Sequence, residues 1–301
     1  MLVLKNPKIA VPVVLFAGLV WSFGPLVVRY MDNPHLIPWQ YIFGRGLTIF
    51  ILLNLYLFFE EGKDFYKNYF KIGISGLVGG SGLGVAMISF MFSITNTSAA
   101  ITLLCLAAMP FFTALLAFLF LKEKISLNVW VSIIIASVGI GIMAIGNTSD
   151  TSLIGFVFGI TSSVGFSVFS VSLRWRKETP KFTTTAFAGL FCVVFASIMI
   201  LSKDLVFCSS SYNSSLFSLH GTLVCLGLIL YSIGSKAIPA AELTLLSLTE
   251  VIGGIFWVWL PLFGINEVPA TNTIIGGFFL FISLTYYSLV MRWNKRYIGL
   301  N

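Results

Sequence analysis

The chain alternates long apolar runs with short polar connections, and this rhythm is its strongest signal. A bilayer core about 30 Å thick is crossed by about 20 predominantly apolar residues in a helix. Ten segments meet that length, at roughly 10–30, 36–59, 72–94, 98–121, 127–146, 152–175, 183–202, 217–236, 240–263 and 272–292. Each is expected to be helical, because lipid offers no partner to a free N–H or C=O. The connections are too short for a soluble domain. The first run, in "MLVLKNPKIAVPVVLFAGLVW", follows a basic start as a signal peptide does. It is too long for a removed apolar region and holds no small-residue cleavage site, so it is expected to be the first span.

Composition supports this expectation. Of 301 residues, 57% are hydrophobic and 10% charged, against about 25% charged in soluble domains. A net charge of +7 in a soluble domain would point to nucleic acid; here its placement matters more, and no nucleic-acid partner is expected. With the N-terminus inside, fifteen Lys and Arg residues fall on cytoplasmic segments and two, Arg29 and Lys203, on outer ones, while Arg45 lies within a span. That bias predicts cytoplasmic N- and C-termini in a multi-pass protein of the cell inner (plasma) membrane. The cysteines (105, 192, 208 and 225) and the two histidines, His35 and His220, are far apart. No metal-ligand spacing appears, and no metal or cofactor is expected. Both histidines are placed near the outer surface. Neither HExxH nor GxSxG occurs, so an intramembrane enzyme is not expected. The Asn-x-Ser triplets at Asn96, Asn147 and Asn213 read as ordinary turn composition.

A shift of 141 residues brings the two halves into register. Gly18, Ser22 and Gly24 meet Gly159, Ser163 and Gly165; Gly80 and Ile88 meet Gly221 and Ile229; Ala99 and Ala100 meet Ala240 and Ala241. After a three-residue insertion Glu123 meets Glu267. The expected architecture is therefore an all-α membrane protein, residues 1–146 forming a first five-helix repeat and 147–301 a second. Five is odd, so the repeats lie in opposite orientations, the arrangement that places a transporter's binding site near the midplane.

The residues also resemble a known family. "NTSAAITLLCLAAMPFFTALLAFLFLKEKIS" (96–126) looks like the fourth helix of EamA-like transporters, the ten-helix branch of the drug/metabolite transporter superfamily, with Pro110 and Glu123 at the family's positions. "KAIPAAELTLLSLTEVIGGIFWVWLPLFGINE" (236–267) is similar to the ninth, but Glu250-Val251 stands where Glu-Pro is usual. The resemblance implies a carrier with two EamA-like halves, and leaves the solute open.

Candidate site residues follow from depth. At a rise of 1.5 Å per residue, Glu250 lies about 15 Å and Arg45 about 13.5 Å from the ends of their predicted spans, both near the midplane. Trp21, Met109 and Ser163 fall at similar depths. Ser247, Gly253, Gly254 and Trp257 share the stripe of Glu250 by i±3 and i±4 spacing. Ser22, Phe23, Phe90 and Tyr231 complete the substrate-binding candidates, and Pro110, Gly253 and Gly254 are the hinge candidates. Glu250 is expected to bind a cationic group, or a proton exchanged for one; its structural alternative is an ion pair with Arg45, or a hydrogen bond that locks the two halves together. For Arg45 a structural role and a substrate contact both stay open. The Gly-rich "GISGLVGGSGLG" (73–84) has no strand before it, so close helix packing, rather than nucleotide binding, is expected.

These residues predict a secondary active transporter of a small, amino-acid-like or zwitterionic metabolite, working by alternating access. The rival is a carrier of cationic or quaternary ammonium compounds, choline-like or drug-like, with Glu250 completing an aromatic cage. A passive channel or scaffold is the less favoured alternative. The expected partners are a small solute, the bilayer and, as a candidate, a coupled proton. A monomer suffices, and a dimer stays open.

Overall fold

The computed structural model describes residues 7–146, 152–176 and 178–298, and no strand occurs among them. The helices are α1 (Pro7–Trp21), α2 (Gly24–Arg29), α3 (Pro38–Glu61), α4 (Lys67–Phe70), α5 (Gly73–Asn96), α6 (Ala99–Leu106), α7 (Met109–Leu116), α8 (Leu127–Gly146), α9 (Leu153–Trp175), α10 (Lys181–Ser202), α11 (Ser211–Gly234), α12 (Ala240–Leu246), α13 (Thr249–Trp259) and α14 (Thr271–Ile298). Among the described residues, eight helical units are long and apolar enough to cross a membrane, with α1–α2, α6–α7 and α12–α13 each counting as one; α8 and α14 add shorter apolar stretches at Leu127–Ile142 and Ile274–Tyr287. The chain is thus a multi-pass, all-helical membrane protein. Lys5, Lys177 and Asn147 lie outside the described residues, as do the side chains of Arg292, Lys295 and Arg296.

Helix α5 packs along α9, α10 along α3 and α5, and α11 along α3 and α1, while α8 and α14 pair with each other. Glycine sets the closest of these approaches. A Cβ on Gly165 of α9 would stand 2.6 Å from the carbonyl oxygen of Gly82 on α5, which only a hydrogen tolerates. Gly79 and Gly84 of the same Gly-rich segment face Ser172 and Phe191, so it serves packing.

Three spans are interrupted, each near the middle of the bundle. The first breaks at Ser22 and Phe23, ahead of Pro25, and the fourth at Ala107 and Ala108, ahead of Pro110. Proline supplies no N–H, so the carbonyls of Trp21 and Leu106 each lose an i+4 donor. The ninth span breaks at Ser247 and Leu248 although it has no proline. Hydroxyls do the work there. Ser247 Oγ donates to the Thr244 carbonyl (2.8 Å), and Thr249 Oγ1 to those of Leu246 (3.2 Å) and Leu15 (3.1 Å). The backbone tightens to i+3 bonds, as in Glu250 N–H to Ser247 O at 2.9 Å. Short side chains that bond nearby carbonyls compete with the helical ladder in this way. The missing proline therefore does not leave this span continuous.

Candidate functional site

The breaks in the first, fourth and ninth spans converge on a cavity of about 70 Å³. Trp21 and Gly24 line it from the first span, Leu106 and Met109 from the fourth, and Glu250 from the ninth. Trp21 and Leu106 are the residues whose carbonyls lose their helical donors. Irregular backbone at membrane depth is tolerated where it faces a cavity. Arg45 enters from α3, Phe90 and Met87 from α5, Ser162 and Phe166 from α9, and His220, Val224 and Leu228 from α11.

Arg45 is 3% exposed and firmly held. One guanidinium nitrogen donates to the Tyr41 hydroxyl at 2.9 Å and another to the Met87 carbonyl at 2.7 Å. Its charge also lies 4.8 Å from the centroid of the Tyr41 ring and 6.0 Å from that of Phe90, within cation–π range. No carboxylate pairs with it among the described residues.

The Tyr41 hydroxyl continues the chain to His220 Nδ1 at 2.5 Å. Arg45 donates to the hydroxyl oxygen, and the tyrosine proton can go to Nδ1; in that tautomer the imidazole carries its own proton on Nε2. That nitrogen points at the break in the first span: a Cβ on Gly24 would lie 2.7 Å from it. His220 is 3% exposed and lines the cavity, so its expected place near the outer surface is corrected. Helix α11 starts at Ser211, with Ser210 Oγ accepting from the Asn213 N–H, ahead of the apolar run that begins near 217. Nine helical steps then carry His220 about 13.5 Å inward.

Glu250 stands just past the break of the ninth span and faces the same cavity. Among the described residues, nothing forms an ion pair or side-chain hydrogen bond with its carboxylate. Neither structural alternative, the pair with Arg45 or a side-chain hydrogen bond between the halves, is found among these residues. The cavity thus holds a fixed positive group and a carboxylate, neither neutralised by the protein.

Of the other candidates, Trp21, Phe90 and Met109 line the cavity, while six residues lie behind its wall. Trp257 Nε1 donates to Ser22 Oγ at 2.8 Å, and its ring stacks on Phe23 with centroids 4.7 Å apart. This unit ties the first span to α13. Tyr231 is buried behind Trp21 and Phe166, with its hydroxyl 2.6 Å from Ser170 Oγ. Ser247 holds the helix break, and Ser163 is buried with its Oγ unpartnered. Among the hinge candidates, Pro110 starts α7. Gly253 and Gly254 pack so tightly that a Cβ would lie 2.7 Å from Ser22 and 2.8 Å from Leu103. Glu242, in the first turn of α12, accepts from the Tyr287 hydroxyl.

Interrupted helices here surround a mainly apolar cavity into which Arg45, His220 and Glu250 project, and such breaks in membrane helices occur where the backbone faces a cavity. Residues 8–145 match the EamA-like transporter family, so this part of the chain is an EamA-like domain. Two proteins of Helicobacter pylori, from strains J99 (ATCC 700824) and 26695 (ATCC 700392), are each named an uncharacterized transporter. Each is 24% identical to this chain over 259 residues, covering 82% of the chain and 84% of the relative. A solved crystal structure shares the fold with a TM-score of 0.72 at 16% identity, covering 95% of this chain and 99% of the other.

Proposed function

We propose that the protein is a secondary active transporter of a small metabolite that carries a positive and a negative group, such as an amino acid. One observation supports this reading: Arg45 and Glu250 line one cavity, and neither has a counter-charge among the described residues. A charge at membrane depth costs several kcal/mol, about 2.5–3.5 on insertion scales. A zwitterion offsets both charges at once. Its ammonium goes to Glu250, and its carboxylate to Arg45 and the Nε2–H of His220.

The supporting architecture is ten spans in two inverted five-helix repeats, 1–146 and 147–301, both EamA-like, with cytoplasmic termini in the plasma membrane. The common 141-residue offset and the matched breaks at Ala107 and Leu248, themselves 141 apart, support it. A 70 Å³ cavity has about half the volume of the roughly 150 Å³ engineered cavity that holds benzene. A metabolite therefore enters only when the walls move, as in a carrier rather than a channel.

The aromatic walls Trp21, Phe90 and Phe166 favour a second reading, a quaternary ammonium solute held by Glu250 and ring faces. Thermal-shift measurement on purified protein separates the two. The panel is an amino acid, its methyl ester, its N-acetyl derivative and choline. Ligand at 100 times its Kd stabilises by about 2.7 kcal/mol. Stabilisation by the amino acid alone supports the zwitterion. Stabilisation by the ester and choline, retained in Arg45→Gln, replaces it with the cation reading. Transport is read as counterflow in proteoliposomes, and its absence for every stabilising solute overturns the carrier.

A further inference from the structure

Two ion pairs at opposite ends of the bundle share one construction. At one end, Arg29 Nε meets Glu267 Oε2 at 3.1 Å, while the guanidinium also donates to the carbonyls of Ile94 (3.1 Å) and Thr97 (3.4 Å). The other oxygen of Glu267 accepts from the Ala99 N–H at 3.1 Å. At the other end, Arg174 Nε meets Glu123 Oε1 at 2.8 Å, and the guanidinium donates to the carbonyls of Ser235 (3.2 Å) and Ile238 (2.8 Å). The second oxygen of Glu123 accepts from the Ala240 N–H at 3.4 Å. Ile94 and Ser235, Thr97 and Ile238, and Ala99 and Ala240 are each 141 residues apart. The ends are opposite because Ala99 and Glu123 bracket a single spanning unit, Ala99–Leu121.

In each cluster the arginine, the two carbonyls and the N–H come from one half of the chain, and the glutamate from the other. Each arginine gathers the carbonyls where one helix ends, and each glutamate caps the start of the next. The glutamates sit on irregular turns. Lys122 precedes Glu123 with φ of 54°, and Asn266 precedes Glu267 with φ of 52°. Such turns carry little helical structure to hold the carboxylate once its partners let go. The pairs are only partly buried, with side chains 21–29% exposed, where water can take over each charge as the pair separates.

We propose that Arg29–Glu267 and Arg174–Glu123 are paired latches that close the two ends of the cavity and release one at a time, so that each admits solute from its own face. Both are closed here, in keeping with a cavity too small for a metabolite. The proposal rests on the carrier reading, but its test needs no solute. Replacing Glu by Gln keeps the oxygen that caps the next helix and removes the charge that holds the arginine.

Residue 86 reports the cavity wall: Ala86 lines it and is 4% exposed. Exposed Cys208 reports the side, because its loop lies at the Arg29 end, where Tyr212 and Asn213 bond the backbone at Tyr30 and Asp32. Full-length Ala86→Cys protein in sealed proteoliposomes is labelled with an impermeant maleimide from each side, and peptide masses distinguish the sites. Glu267→Gln is expected to raise labelling at residue 86 about tenfold from the side that labels Cys208, as a shifted two-state population would. Glu123→Gln is expected to raise it only from the other side. Equal change from both sides in either Gln variant, or none in both, overturns the latches, and so does lost sidedness in variants that keep the parent's Tm. If sidedness holds while no solute is moved, the transport reading fails alone; if a solute is counterflowed without sidedness, only the latches fall.

Discussion

Arg45 and Glu250 look into one cavity without touching each other. Arg45 is held by Tyr41 and the Met87 carbonyl, whereas among the described residues no side chain bonds the Glu250 carboxyl group. This asymmetry separates the roles of the two charges. Arg45 is built into the wall, whereas in the proposed carrier Glu250 is the charge that meets the solute.

Removing the Glu250 charge should therefore leave the fold intact. Glu250→Gln is expected to melt at or above the parent's Tm, since the side chain keeps its shape and loses no bond to a described residue. A charge-assisted hydrogen bond contributes about 1.5–3 kcal/mol, so affinity for the amino acid should fall about ten- to a hundredfold. Titration of both proteins in the thermal-shift panel checks this; unchanged affinity removes Glu250 from the site.

Tyr41 behaves in the opposite way. Tyr41→Phe takes the acceptor from one buried Arg45 N–H and the partner from His220 Nδ1. An unsatisfied buried polar group costs about 1–3 kcal/mol, and the lower Tm should appear without any solute. Denaturation of the empty protein measures it. A Tm equal to the parent's means that water replaces the hydroxyl.

Gly18 sets the distance between the first span and the break in the ninth. A Cβ there would lie 2.0 Å from Thr249 Oγ1 and 3.0 Å from the Ser247 carbonyl oxygen. Backbone cannot step aside as a flexible side chain can. Gly18→Ala should destabilise by about 1–3 kcal/mol and weaken solute binding, because Glu250 follows directly on that break. A binding curve and a melt on the same sample test both effects.

Depth along a helix was legible in the sequence, but rotation about it was not. Counting residues from the span ends put Arg45, Glu250, Trp21 and Met109 at one level, and all four line the cavity. Ser22, Ser163, Tyr231, Ser247 and Trp257 are turned into packing, because hydrophobic periodicity loses its direction when lipid and core are both apolar. The break in the ninth span was hidden because its cause is a pair of hydroxyls rather than a proline. His220 escaped because α11 begins in polar residues, "SYNSSLFSLH", which an apolar count discards; the Ser210 cap was the available signal. The latches escaped because Arg29 and Arg174 are 145 residues apart rather than 141.

His220 offers the sharpest test of how the cavity reads a carboxylate. Its two nitrogens have separate tasks: Nδ1 accepts from Tyr41, and Nε2–H faces the break at Gly24. Asparagine places its amide near the first position and glutamine near the second. His220→Asn keeps an acceptor for Tyr41, so the empty protein should melt near the parent's Tm, yet the donor aimed into the cavity is lost. Affinity for the amino acid should then fall about tenfold, the scale of one hydrogen bond of about 1.4 kcal/mol, while affinity for its methyl ester stays unchanged. His220→Gln keeps a donor near Nε2 and should bind the amino acid within a few-fold of the parent, at a lower Tm. The two variants thus exchange their defects, which a single structural role for the imidazole does not produce. If both lose stability and affinity in parallel, His220 only supports Arg45 through Tyr41, and the carboxylate is held by the guanidinium alone.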